Sequence, residues 1–89
     1  MIQDINDPSS PPIHHADLCI VGSGAMGISA AREFIGSSHS VIVLEGGGRS
    51  FEQKCQEPYQ SDVVGLGHNG IHIGRARVLG GTTTLWAGQ

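Results

Sequence analysis

The chain has 89 residues and a formal charge of −3, enough for one domain or part of one. A chain this short buries only about 60% of the surface it exposes when unfolded, so its stability is marginal. Five lysines and arginines against eight acids, with the basic residues scattered, argue against a nucleic-acid-binding face. No apolar run reaches the roughly 18 residues of a membrane span. No basic stretch followed by an apolar one marks a secretory signal, so a cytoplasmic location is expected. Cys19 and Cys55 lie far apart and form no C-x-x-C pair, so no disulfide is expected.

Residues 1–16 read as a flexible leader. They hold Pro8, Pro11 and Pro12, polar residues at the start and no apolar period. His14 and His15 are adjacent and face different ways in an extended chain, with no further metal ligand nearby. From Asp17 to Val21 an apolar run, Leu18-Cys19-Ile20-Val21, predicts a strand buried on both faces of a parallel sheet, with Cys19 as a small buried residue. A helix is predicted over Ala25 to Ile35, with Ile28, Ala31, Phe34 and Ile35 on one face and Gly36 at its end. A second strand, Ser40 to Glu45, is built on Val41, Ile42, Val43 and Leu44.

Between the first strand and the helix, Gly22, Gly24 and Gly27 form G-x-G-x-x-G, with Ala25 and Met26 inside it. The three glycines have separate tasks. The first turns the chain out of the strand, the second lets a pyrophosphate approach the backbone, and the third lets the helix lie close to the sheet. The helix N-terminus offers free amides and a positive dipole end to phosphate. Glu45 ends the second strand 23 residues beyond Gly22, where such a unit carries an acid for ribose hydroxyls. Three glycines alone would be a weak signal in a chain with 14 of them. Strand, glycines, helix, strand and acid in order make a dinucleotide-binding unit.

Gly46, Gly47 and Gly48 follow the acid. Either the backbone passes close to something there, such as the adenosine, or the triplet is a flexible turn. Phe51 to Gln56 fits one or two helical turns ended by Pro58. Gly65 to Gly74 reads as loop, with room for a short strand at Ile71 to Ile73. His68 and His72 are four apart, but Gly67 and Gly70 disfavour the helix a metal pair would need, leaving surface histidines.

The second motif is Gly80-Gly81-Thr82-Thr83-Thr84-Leu85-Trp86, preceded by Arg75 and Arg77. Two glycines allow close approach to a ligand. The threonines can cap a helix that begins there, and its amides would form a second anion site. Solvated arginines are favoured over phosphate-facing ones. Trp86 suits stacking on a planar ring or filling a core.

Together the two motifs resemble flavin-dependent oxidoreductases of the glucose-methanol-choline (GMC) family, which has a Gly-Gly-Ser/Thr-Ser/Thr segment like Gly80 to Thr83. Trp86 is similar to the pyranose-oxidase and sugar-dehydrogenase branch, since many GMC members carry asparagine there. The resemblance implies an α/β fold: the incomplete N-terminal βαβ portion of a Rossmann-like FAD-binding domain with a parallel sheet, over residues 17–89. It implies FAD on Gly22, Gly24, Ala25, Met26 and Gly27 at the pyrophosphate. Glu45 would meet the adenosine ribose, and Gly80, Gly81, Thr82 and Thr83 would lie along the pyrophosphate and flavin side. It also implies hydride transfer from an alcohol or sugar CH–OH group to FAD, in a parent protein with a separate substrate domain. Some relatives attach FAD through a histidine at the position of Leu85. Leucine cannot form that bond, so non-covalent FAD is expected.

None of His14, His15, His39, His68 and His72 stands where the family's catalytic base would be. The sequence stops at Gln89, just after the second motif. The expectation is therefore an N-terminal fragment of an oxidoreductase that is not catalytic by itself. Two other readings stay open: a different NAD- or FAD-dependent Rossmann enzyme, and an inert or purely nucleotide-binding product.

Overall fold

The computed structural model describes residues 1–86; the end of the expected 17–89 domain, residues 87–89, lies outside them. Two strands, β1 (Leu18–Val21) and β2 (Val41–Leu44), flank one helix, α1 (Ala25–Arg32). The strands pair in parallel, with Leu18 opposite Val41 and Val21 opposite Leu44. The chain is therefore α/β, with a βαβ crossover and an open two-stranded sheet among the described residues.

The expected helix is shortened. α1 ends at Arg32, and Glu33, Phe34 and Ile35 continue as turns in which each amide donates to the carbonyl three residues back. Gly36, at φ 78°, then takes the left-handed conformation that stops the turn. The face applied to the sheet also differs. Gly27, Ala31 and Phe34 are half-buried, while Ile28 and Ile35 are exposed. Gly27 decides this rotation: a side chain there would meet the Gly22 carbonyl and Ile20, so this edge of the helix lies nearest β1.

β1 is covered on one face only. Leu18 and Ile20 are half-buried towards α1, whereas Cys19 and Val21 are exposed, which corrects the expectation of a doubly buried strand and a buried Cys19. Among the described residues no element packs on that second face. At the open ends of the strands, Asp17 and Ser40 clasp each other. The Ser40 amide and hydroxyl donate to Asp17 Oδ2, and the Asp17 amide donates to Ser40 Oγ.

After β2 the chain makes one helical turn, α2 (Gln53–Gln56), then a 3₁₀ turn over Glu57–Tyr59. α2 stops at Gln56, the end expected ahead of Pro58, and Pro58 sits in the first positions of the 3₁₀ turn that follows. Ile71 to Ile73 form a turn, not a strand. The most buried apolar side chains are Ala76 and Val78, in the stretch leading to the second motif. No helix among the described residues is long and apolar enough to cross a membrane.

Candidate functional site

The first glycine loop is shaped by two of its three glycines. Gly22 adopts φ 103°, a conformation a side chain would strain, and its amide donates to the Leu44 carbonyl. Gly27 is held by space, since a Cβ there would collide with the Gly22 carbonyl oxygen. Gly24 is held by neither: its φ is −69°, and a Cβ there would meet no heavy atom within 4 Å. Gly24 is also the residue from which α1 starts, with no side-chain cap on the helix. The first amides of α1 thus have neither an intrahelical acceptor nor a side-chain cap.

Ser23, between the first two glycines, is 1% exposed and is the most buried polar residue described. Its amide and hydroxyl both donate to Glu45 Oε2, at 3.0 and 2.6 Å. Glu45 Oε1 accepts the Gly47 amide at 2.9 Å. Burial pushes the Glu45 carboxyl up, but the Ser23 hydroxyl and amide and the Gly47 and Gly46 amides outweigh it, holding the group below the ordinary glutamate value. The carboxylate expected at a ribose is thus engaged through both oxygens, one by the first glycine loop and one by the turn that follows Glu45 itself.

The second motif folds onto the first. The Gly80 amide donates to Ser23 Oγ at 3.0 Å, so one buried hydroxyl joins Glu45 to a backbone group 57 residues beyond Ser23. Gly80 and Gly81 have φ of 92° and 64°, and a Cβ on Gly81 would lie 2.9 Å from the Gly24 Cα. A 3₁₀ helix, Gly81–Leu85, begins there. The threonines do not cap it. Thr83 and Thr84 donate to the carbonyls of Gly80 and Gly81, while Thr82 Oγ1 accepts the Ala76 amide. Trp86 is exposed and fills no core.

The close approach anticipated at Gly46 to Gly48 is made by the chain itself. A Cβ on Gly47 would collide with the Arg77 carbonyl oxygen, and Gly48 pairs with Val78 in a parallel bridge. The Arg77 guanidinium packs over Gly46 and donates to the Cys55 carbonyl, so Arg77 is not the freely solvated side chain expected. Arg75 is exposed. The Gln56 side chain fixes the Arg77 backbone from below, accepting its amide at 2.7 Å and donating to its carbonyl at 2.9 Å.

Between α1 and the second motif lies an open cleft of about 330 Å³ lined by Ser23, Gly24, Ala25, Ile28, Ser29, Arg32, Gly80 and Thr83.

No family model matches the chain, and no solved structure matches it. Among curated proteins, an uncharacterized GMC-type oxidoreductase of Mycobacterium tuberculosis, found in two strains, is 31% identical over 89% of this chain. The sequence is of the GMC oxidoreductase type. The match occupies 14% of the mycobacterial protein. The probable oxidoreductase OrdL of Haemophilus influenzae is 48% identical over 44 residues, 49% of this chain and 10% of OrdL. The chain therefore spans a small part of the length of the curated relatives it matches.

In this GMC-type chain the structure brings Gly24, Ala25, Gly80 and Thr83 to one cleft. Gly22, Gly27 and Gly81 support that cleft from behind through conformation and close packing. Met26 is exposed on the first turn of α1, outside the cleft lining, and Thr82 and Glu45 are turned to partners of their own. Sequence reading missed Ser23. Its only signal was a hydroxyl at the variable position between two glycines, with an acid at the end of the neighbouring strand.

Proposed function

We propose that the cleft at the N-terminus of α1 binds the pyrophosphate of FAD, non-covalently. On this reading the GMC-type enzyme oxidises the CH–OH group of an alcohol or sugar by hydride transfer to the flavin. One observation carries the cofactor reading. Gly24 is demanded neither by its backbone angles nor by packing, and the space over it is open beside unpaired helix amides. A glycine kept free of a Cβ at such a point suits a bulky anion approaching the backbone. The residues present fit the group: Gly24 and Ala25 would face its phosphates, with Gly80 and Thr83 across the cleft. FAD when bound supplies the hydride acceptor. The residues of this chain bind and orient it, and no described residue is assigned to catalysis. Leu85 offers no nucleophile for a covalent link. Trp86, at a position where many GMC members carry asparagine, supports the sugar-oxidising branch as the closer likeness.

The test is a titration of the purified protein with FAD, followed by flavin fluorescence, beside the same titration of Gly24→Ala. Binding by the wild type and at least tenfold weaker binding by Gly24→Ala, with thermal unfolding little changed, is the expected result. Binding of NAD without FAD, or equal FAD affinity in the variant, overturns the reading.

A further inference from the structure

We propose that Ser23 is a positioning residue: its hydroxyl is the strut that holds the Gly80 backbone against the first glycine loop and so sets the width of the cleft. The proposal rests on the cofactor reading for its functional consequence, and on geometry for the strut itself.

Ser23 Oγ joins three parts of the chain. It donates its proton to Glu45 Oε2 at the end of β2 and accepts the amide of Gly80 from the second motif. This direction is forced. A carboxylate oxygen only accepts and a backbone N–H only donates, so the hydroxyl must give its one proton to Glu45 and a lone pair to Gly80. The side chain is almost fully buried, so no water replaces it at low cost. A second contact between the two motifs here is the apposition of Gly81 on the Gly24 backbone. The Gly81 amide is used inside the second motif, donating to the Val78 carbonyl. Removing the hydroxyl therefore takes the acceptor from the Gly80 amide, while the Ser23 amide on Glu45, the Gly22 amide on Leu44 and the Leu79 amide on the Gly48 carbonyl stay in place.

Gly80 and Thr83 form one wall of the cleft, and Gly24 and Ala25 the other. Losing the strut removes the hydrogen bond that holds Gly80 to the first glycine loop, without touching the helix amides. A ligand that bridges both walls should suffer, and one that needs only the helix end should not.

The experiment compares the wild-type protein with Ser23→Ala and, as a control remote from the cleft, Ser40→Ala. The first readout is residue-resolved amide hydrogen exchange by NMR, with no ligand present. In Ser23→Ala the Gly80 amide is expected to exchange at least about tenfold faster, with Gly22 protection retained as proof of fold. In Ser40→Ala, Gly80 is expected to be unchanged. The second readout is affinity for FAD and for inorganic phosphate. Ser23→Ala should bind FAD roughly fivefold to tenfold more weakly, the loss of about one buried hydrogen bond, and bind phosphate as the wild type does. Unchanged Gly80 exchange in a folded Ser23→Ala overturns the strut. Equal losses for FAD and phosphate overturn its role in cleft width. Absence of FAD binding by the wild type overturns the cofactor reading instead, and the exchange result then decides the strut alone. Should Ser23→Ala fail to retain Gly22 protection, Ser23→Thr, which keeps the hydroxyl, is decisive: wild-type Gly80 protection supports the strut and its loss overturns it.

Discussion

The Ser23 hydroxyl lies 2.6 Å from Glu45 Oε2, so the residue between the first two glycines is bonded to the acid that ends the neighbouring strand. The short O–H···O⁻ bond is charge-assisted. It ties the loops at the ends of β1 and β2 side by side, directly beneath the cleft.

This bond makes stability depend on pH. The folded Glu45 carboxyl lies below its ordinary value, so its stabilisation is present above the unfolded value of about 4.3 and is lost as pH falls through the folded one. Glu45→Gln should lower stability by about 1–2 kcal/mol at pH 7. The difference from wild type should shrink as pH falls below about 4. Urea denaturation over a pH series checks this; a difference that stays constant down to pH 3 speaks against the assignment. FAD affinity, if the cofactor reading holds, should also fall in Glu45→Ala.

Gly27 and Gly24 should separate folding from binding. A Cβ at position 27 would press on a backbone oxygen that cannot turn aside. Gly27→Ala should therefore destabilise by about 1–3 kcal/mol through overpacking, even against the roughly 1 kcal/mol that alanine contributes to a helix. Gly24→Ala should cost well under that. Chemical denaturation of the two variants side by side gives the order, and a more stable Gly27→Ala would contradict the close packing.

The glycine triplet after Glu45 should be uneven. A side chain at Gly47 would meet the Arg77 carbonyl and the Val78 amide nitrogen, both backbone, whereas one at Gly46 would meet the movable Arg77 guanidinium. Gly47→Ala should cost about 1–3 kcal/mol and Gly46→Ala under about 1. Thermal unfolding decides, and equal losses at both positions would count against the docking of Gly47 on Arg77.

Gln56 acts on the Arg77 backbone as a neighbouring strand would, with one bond accepted and one donated. Gln56→Ala leaves a half-buried amide and carbonyl without these partners and should cost about 1–3 kcal/mol. Gln56→Glu keeps the acceptor for the Arg77 amide but sets a carboxylate oxygen against the Arg77 and Glu52 carbonyls, so it should not rescue the loss. Faster amide exchange at Arg77 in Gln56→Ala is the local check.

Much of the βαβ unit was legible because its rules are local. Leu18 to Val21 and Val41 to Leu44 are short apolar runs, Gly22 stands where the chain must turn sharply, and Gly36 stops the helix region. The ends were less legible. Phe34 and Ile35 fit the helical period, yet α1 gives way to tighter turns at Glu33, because hydrogen bonding near a helix end shifts easily to the carbonyl three residues back. Cys19 and Val21 look like core from composition alone, but burial is set by what packs on a face, not by the residue placed there.

By itself, the sequence determined a strand–glycine loop–helix–strand unit closed by an acid, and a second glycine motif of GMC type. Tertiary structure alone decided what those residues touch. Glu45 turns to Ser23 and Gly47, Gly46 to Gly48 receive Arg77 and Val78, and Gly80 docks on Ser23 across 57 positions. The reason is physical. Strand and helix preferences act over a few residues and leave a periodic trace, whereas a hydroxyl shared by two distant partners leaves none until the chain has folded.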